Sequence, residues 1–404
     1  MRLHKRYALF LLVCLFSLTA STCKQTPSTN SNQAAAGQIP KGKTGRWIAQ
    51  FRSTYSKNIA GVNLASYSYS CLSVVSPSVV YVGGDMPDPK TLDERIGVFI
   101  RTSDGGQTWN ETILDRKDVR ISTINGIHFL NEKTGWMAGA SQSLQGKEMK
   151  RDGIVMRTND GGANWEVVKL SIKQVPTCVF FNDEQTGWMG GVPIDEEGED
   201  DNDEKDSLPS DLLKTTDGGK TWQAVRRLPV TIKTIYFPEK SVGWMVGQKG
   251  SIYKTNDGGA TWNTQRSELE PGEGGAVDIT GEGSKKFNMQ GVHFIDSQTG
   301  FATATSADGR EGRVLSTING GATWAKKFIG QGEGFRDAFF LNASEGWVLS
   351  TNGRYIYHTV DGGRYWSGET ISFDQDVPFF KIGGTDEKHL WAAAGGGIFY
   401  RLLD

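Results

Sequence analysis

One octapeptide recurs six times in this chain, and no other feature limits its fold so tightly. The copies occupy 102–109, 158–165, 215–222, 255–262, 317–324 and 359–366. Each begins with Thr and ends with Trp: Trp109, Trp165, Trp222, Trp262, Trp324 and Trp366. The third position is Asp104, Asp160, Asp217, Asp257, Asn319 or Asp361, always followed by two glycines. Asp or Asn before Gly-Gly suits a tight turn that needs positive φ. The carboxylate and the Thr hydroxyl can accept hydrogen bonds from the N–H groups of that turn. The Trp then opens a new strand with a large apolar plate.

Two weaker elements precede each box. Gly-Trp or a relative opens a short apolar strand at Trp136, Trp188, Trp244, Phe301, Trp347 and Trp391, with Tyr81 in the first unit. Seven residues before most of these stands a marker apolar residue: Val74, Phe129, Phe181, Phe237, Phe294 or Phe340. Each unit therefore reads as strand A ending at the marker, strand B from Gly-Trp, strand C ending at the box Thr, and strand D from the box Trp. The expected fold is all-β: a seven-bladed β-propeller of four-stranded antiparallel blades. The last unit stops after its strand C, so an N-terminal strand around Trp47 is expected to close the ring and remove the exposed edges.

The ends of the chain carry different signals. Residues 1–6 are basic and 7–18 are apolar apart from Ser17, too short a run for a comfortable span. Residues 1–22 read as a lipoprotein-type signal peptide, Cys23 as the acylated residue, 23–44 as a flexible tether and 45–404 as the propeller. This implies an exported protein, periplasmic or otherwise extracytoplasmic, held to a membrane by a lipid. The net charge of −2 gives no global field for nucleic acid, and no nucleic-acid partner is expected. The run 195–206 carries a net −8, so the rest of the chain carries +6. That run lacks the spacing of an ordered calcium loop and reads as a solvated insertion. No metal or cofactor is expected, and Cys71 and Cys178 fall at matching positions of non-adjacent units, which argues against a disulfide.

Loop lengths place the candidate site. The A–B turns and the boxes share one face of the disc, whereas the insertions 85–96, 141–152, 192–210 and 267–287 fall on the other. The variable face is the expected binding face. Four residues before each marker stand Ser70, Asn125, Thr177, Lys233, Gln290 and Arg336, all polar, at the start of the innermost strand. They are expected to ring the mouth of the central channel, with Lys233 and Arg336 as contacts for an acidic partner. His128 and His293 occupy equivalent places on strand A and are expected to pack between blades.

The boxes resemble the Asp-box (BNR) repeats of sialidases, xyloglucanases, sortilin-type receptors and photosystem II stability/assembly factors. The string from Gly243 to Trp262 is most similar to the last group. That resemblance implies a non-catalytic scaffold that binds an assembling membrane-protein complex through a basic patch near the propeller mouth. The acidic insertion departs from the pattern. Two other readings are a secreted glycoside hydrolase of sialidase-like type and a cell-surface ligand-binding module. The hydrolase needs paired carboxylates and, for sialosides, an Arg cluster. Phe51-Arg-Ser and Phe335-Arg-Asp do not fit the sialidase motif. No residue is assigned a catalytic role.

Overall fold

The computed structural model of the chain describes residues 45–53, 55, 66–91, 94–145, 148–194, 209–266, 287–373 and 377–403. The leader, Cys23, the tether and the acidic run 195–206 lie outside the described residues. No helix among the described residues is long and apolar enough to cross a membrane.

The first strand, β1 (Gly45–Arg52), precedes the repeats. Five four-stranded antiparallel blades follow. They are β2 (Ser68–Val74), β3 (Val80–Pro87), β4 (Arg95–Thr102), β5 (Asn110–Ile113); β6 (Arg120–Phe129), β7 (Gly135–Gln145), β8 (Glu148–Thr158), β9 (Glu166–Lys169); β10 (Gln174–Phe181), β11 (Gly187–Pro193), β12 (Ser210–Thr215), β13 (Gln223–Leu228); β14 (Ile232–Tyr236), β15 (Gly243–Gly247), β16 (Ile252–Thr255), β17 (Asn263–Arg266); and β18 (Phe287–Phe294), β19 (Gly300–Ser306), β20 (Glu311–Thr317), β21 (Ala325–Gln331). Seven further strands complete the fold: β22 (Phe335–Phe340), β23 (Gly346–Ser350), β24 (Ile356–Thr359), β25 (Ser367–Ser372), β26 (Phe379–Asp386), β27 (His389–Ala394) and β28 (Gly397–Leu403).

The expected seven separate blades, the last closed by an outer N-terminal strand, are corrected here. Five sheets are free-standing blades, and the other eight strands form one sheet in the order β22-β23-β24-β25-β1-β28-β27-β26. The cause is β1, which has two edges and uses both. It pairs antiparallel with β28 from Gly45↔Leu403 to Arg52↔Gly397 and parallel with β25 from Arg46↔Thr370 to Ile48↔Ser372. The unpaired edge of β25 would otherwise be a template for another chain. Repeat spacing carries no sign of such a parallel seam, because it forms between strands more than 300 positions apart.

A buried ion pair stitches that seam. Glu369 on β25 receives Arg401 of β28 through Nε at 2.9 Å and Nη2 at 2.6 Å, and the Trp47 Nε1 of β1 at 2.8 Å. His358 Nδ1 lies 3.3 Å from the same carboxylate. Burial pushes the Glu369 carboxyl up, but the contacts with His358 and Arg401 outweigh it and hold it below its ordinary value.

The boxes are fasteners at one end of the blades. In all six, the Thr hydroxyl accepts the N–H of the second glycine at 2.8–3.0 Å. The Asp or Asn Oδ1 accepts the N–H four residues on, as from Thr108 to Asp104 at 2.9 Å. The first glycine donates to a carbonyl in the A–B turn of its own unit, such as Gly105 to Ser78, so boxes and A–B turns share a face. Gly259 shows why glycine is needed: its φ is 87°, and a Cβ would sit 2.1 Å from Trp188.

That contact is also the contact between neighbouring units. The aromatic of strand B stacks on the marker Phe of the next unit: Tyr81 on Phe129, Trp136 on Phe181, Trp244 on Phe294 and Phe301 on Phe340, with centroids 3.4–3.7 Å apart. The box Trp then meets the same Phe edge-on, as Trp222 meets Phe181. Strands B and C also extend beyond the sequence reading. The segment 141–152, expected as a loop, is a hairpin paired from Ser141↔Asp152 to Gln145↔Glu148.

Glu369→Ala leaves Arg401 buried without its carboxylate, so it is expected to cost about 3–5 kcal/mol, checked by chemical denaturation. A second outcome concerns acid. The bonds from Thr108, Asn164 and Thr261 hold Asp104, Asp160 and Asp257 down at about 2; at Asp217 slight burial pushes up and the Thr221 bonds outweigh it, again giving about 2. These carboxylates favour the fold fully above the unfolded value of 3.8 and lose that effect as pH falls through about 2. Thermal melts should therefore show the midpoint falling between about pH 4 and pH 2.

Candidate binding site in the central cavity

The A strands β2, β6, β10, β14, β18, β22 and β26 surround a cavity of about 1050 Å³. All six residues singled out from the sequence line it: Ser70, Asn125, Thr177, Lys233, Gln290 and Arg336. The equivalent place on β26 is Phe380, which the marker spacing could have found by stepping eleven residues back from Trp391.

Hydrogen bonds divide these residues into two groups. Ser70 Oγ donates to the Ile124 carbonyl at 2.6 Å, Asn125 Nδ2 to Pro176 at 2.9 Å and Thr177 Oγ1 to Ile232 at 2.5 Å. Each reaches the A strand of the next unit, so these three are stitches between units. Lys233, Gln290 and Arg336 stand on the next three A strands, and the stitches there come from elsewhere: Thr234 Oγ1 donates to the Gln290 carbonyl and Thr303 Oγ1 to the Arg336 carbonyl. Neither Lys233 nor Arg336 has an acidic partner among the described residues, and Arg336 lies over the Phe380 ring at 5.6 Å.

The free cations are energetically poised. Burial pushes the Lys233 ammonium below its ordinary value, and repulsion from Arg336 adds to it. Arg336 is exposed to the cavity, and the protein beside it lowers its guanidinium as well. The cavity lining holds five cationic side chains (Arg95, Arg151, Lys233, Arg336, Lys381) and three acidic ones (Asp85, Glu94, Asp337).

Sequence reasoning missed the acidic side of the cavity. Asp337 is buried; Lys381 Nζ reaches its Oδ1 at 3.1 Å and the Ile382 N–H its Oδ2 at 3.1 Å. Asp85 pairs with Arg95 and accepts the Thr123 hydroxyl at 2.8 Å. Burial raises both carboxyls, opposed chiefly by Lys381 at Asp337 and by Arg95 at Asp85. No regular spacing relates these residues, so only the fold brings them together. Cys71 and Cys178 also line the cavity as free thiols, pushed by burial to about 12 and about 11, far from the reactive thiolate range. No group of three or more metal-ligating side chains occurs among the described residues.

Repeats, sheet order and central cavity define a β-propeller of the Asp-box (BNR) kind, similar to YCF48. The family model described as photosynthesis system II assembly factor YCF48 matches residues 206–280. No curated protein sequence matches the chain. A solved structure titled YCF48 bound to D1 peptide aligns with a TM-score of 0.57 at 15% identity, covering 91% of this chain and 99% of that one. The GH74 enzyme of Niastella koreensis aligns with a TM-score of 0.53 at 14% identity, covering 82% of this chain and 51% of that one. The GH74 xyloglucanase of Xanthomonas campestris gives 0.52 at 13% identity, covering 80% and 50%. The chain spans about half the length of these two enzymes. At such identities the structural likeness is one of fold.

Because Lys233 is half-buried without an anionic partner among the described residues, Lys233→Met is expected to leave stability unchanged or raise it. Calorimetry at neutral pH checks this, and a clear drop in Tm would mean that the ammonium is already satisfied in the free protein.

Proposed function

We propose that this chain is a non-catalytic binding scaffold whose central cavity receives an acidic segment of a protein partner. The observation that carries the reading is the pair of cations without an acidic partner among the described residues, Lys233 and Arg336, on the two units that flank the one carrying Gln290. Lys233 is half-buried, so an incoming carboxylate would stabilise its charge, and Arg336, exposed to the lumen, is placed to add a second contact. The likeness to YCF48, including a relative solved with a D1 peptide, supports a protein partner. The finer form of the proposal is an exported, lipid-anchored protein that assists assembly or stability of a membrane-protein complex. Its support is the basic and apolar leader, Cys23 and the polar stretch that follows.

A glycoside hydrolase is the second reading, favoured by the GH74 likeness and by two cavity carboxyls raised by burial. It fits less well, because Asp85 and Asp337 are each engaged by a cation, whereas hydrolysis needs one free acid and one free base or nucleophile across the sugar. The deciding experiment is capture from detergent-solubilised host membranes. The native protein is expected to retain a partner that Lys233→Glu with Arg336→Glu loses by tenfold or more. Equal capture by both proteins, or xyloglucan or sialoside turnover abolished by Asp337→Asn, would reject the scaffold reading.

A further inference from the structure

One residue before each marker, the A strands carry a second pattern. His128, Phe180, Tyr236, His293 and Phe339 occupy this place on β6, β10, β14, β18 and β22, and all five line the cavity. Their rings touch in sequence around the axis: His128 to Phe180 at 4.4 Å, Phe180 to Tyr236 at 5.9 Å, Tyr236 to His293 at 5.2 Å and His293 to Phe339 at 5.1 Å. The two remaining places hold Ser73 and Gly383, so the collar is open on one side.

This arc is not ordinary core. The marker residues next to it, such as Phe129, Phe181 and Phe294, are buried, whereas all five collar rings are only half-buried and keep contact with the lumen. Both histidines are neutral at physiological pH, because burial pushes each imidazole to about 4, so the collar brings no charge of its own. His293 Nδ1 accepts the Phe340 N–H at 3.3 Å, which fixes the proton on Nε2. Tyr236 lies three residues beyond Lys233 on one strand, about 10 Å at roughly 3.3 Å per residue. That depth corresponds to about three residues of extended peptide.

We propose that the collar is an aromatic side-chain subsite: the segment entering the cavity presents a carboxylate to Lys233 and Arg336 and seats an aromatic ring two or three residues away among Phe180, Tyr236 and His293. The inference rests on the scaffold reading and adds the chemistry of the ligand. Tilted and edge-to-face contacts at the spacing of this collar favour an aromatic ring over an aliphatic chain, and the notch at Ser73 and Gly383 leaves one side free for the backbone of the guest.

The test is titration calorimetry of the full chain with three synthetic peptides in a glycine-serine background. The first places phenylalanine two residues from aspartate, the second replaces the phenylalanine by alanine, and the third replaces the aspartate by asparagine. The first is expected to bind roughly tenfold or more tighter than either of the others. Phe180→Leu with Tyr236→Leu should erase the advantage of the first peptide over the second, with thermal melts confirming the fold. If the first two peptides bind alike to the native protein and the third more weakly, the subsite is wrong and the acidic-segment reading stands; if the third binds as tightly as the first, the acidic-segment reading falls. If none binds, both fall. The native comparison needs no variant, so it decides the matter even where the double substitution unfolds.

Discussion

The ring is assembled by one contact made over and over: an aromatic plate from strand B of one unit laid flat on the marker Phe of the next, with the box Trp closing against its edge. Burying a Trp contributes up to roughly 5 kcal/mol, taking ~200 Å² at ~25 cal/mol/Å² as an upper bound. The box makes this contact possible. At Gly219, Gly259 and Gly321 the second glycine, at positive φ, leaves out a Cβ that would press on the plate, and the Thr and Asp or Asn oxygens of the box satisfy N–H groups of the turn. The five box aspartates and Asn319 are therefore occupied by their own turns and stand at the opposite end of strands B and C from the B–C connections.

Fastening at the rim leaves the axis free to vary. Around the cavity, Ser70, Asn125 and Thr177 spend their polar atoms on the neighbouring unit, while Lys233, Gln290 and Arg336 do not. The stitch is passed from one residue to the next along strand A at that point, from Thr177 to Thr234. The result is a stiff ring with an uneven lining, whose excess of positive charge is confined to a few positions. Function in such a fold lies in the lining rather than in the repeat.

Much of this was legible in the sequence because the repeat has a fixed register. Knowing the marker Phe locates strand A, and four steps back lead to the cavity. What the register could not convey was the bonding state of each side chain. Six polar residues in equivalent places looked alike, yet three are stitches and two are unpaired cations. The aromatic collar lay one step from the marker in plain view, but His, Phe and Tyr share no obvious residue type. Asp337 and Lys381 are related by no spacing and meet only across a unit boundary, and Asp85, paired with Arg95 on the next strand of its own blade, takes the Thr123 hydroxyl of the following unit.

The sequence alone determined the all-β repeat, the turn chemistry of the boxes and the alternation that turns one side of strand A inward, because these depend on contacts within a unit. Tertiary structure decided the sheet count and the seam, where β1 joins β25 and β28 into a single eight-stranded sheet around Glu369 and Arg401. It also decided which cavity charges are neutralised. Both outcomes depend on groups from distant parts of the chain meeting in low dielectric, where a partner a few ångströms away changes the energy of a charge far more than its neighbours in sequence do.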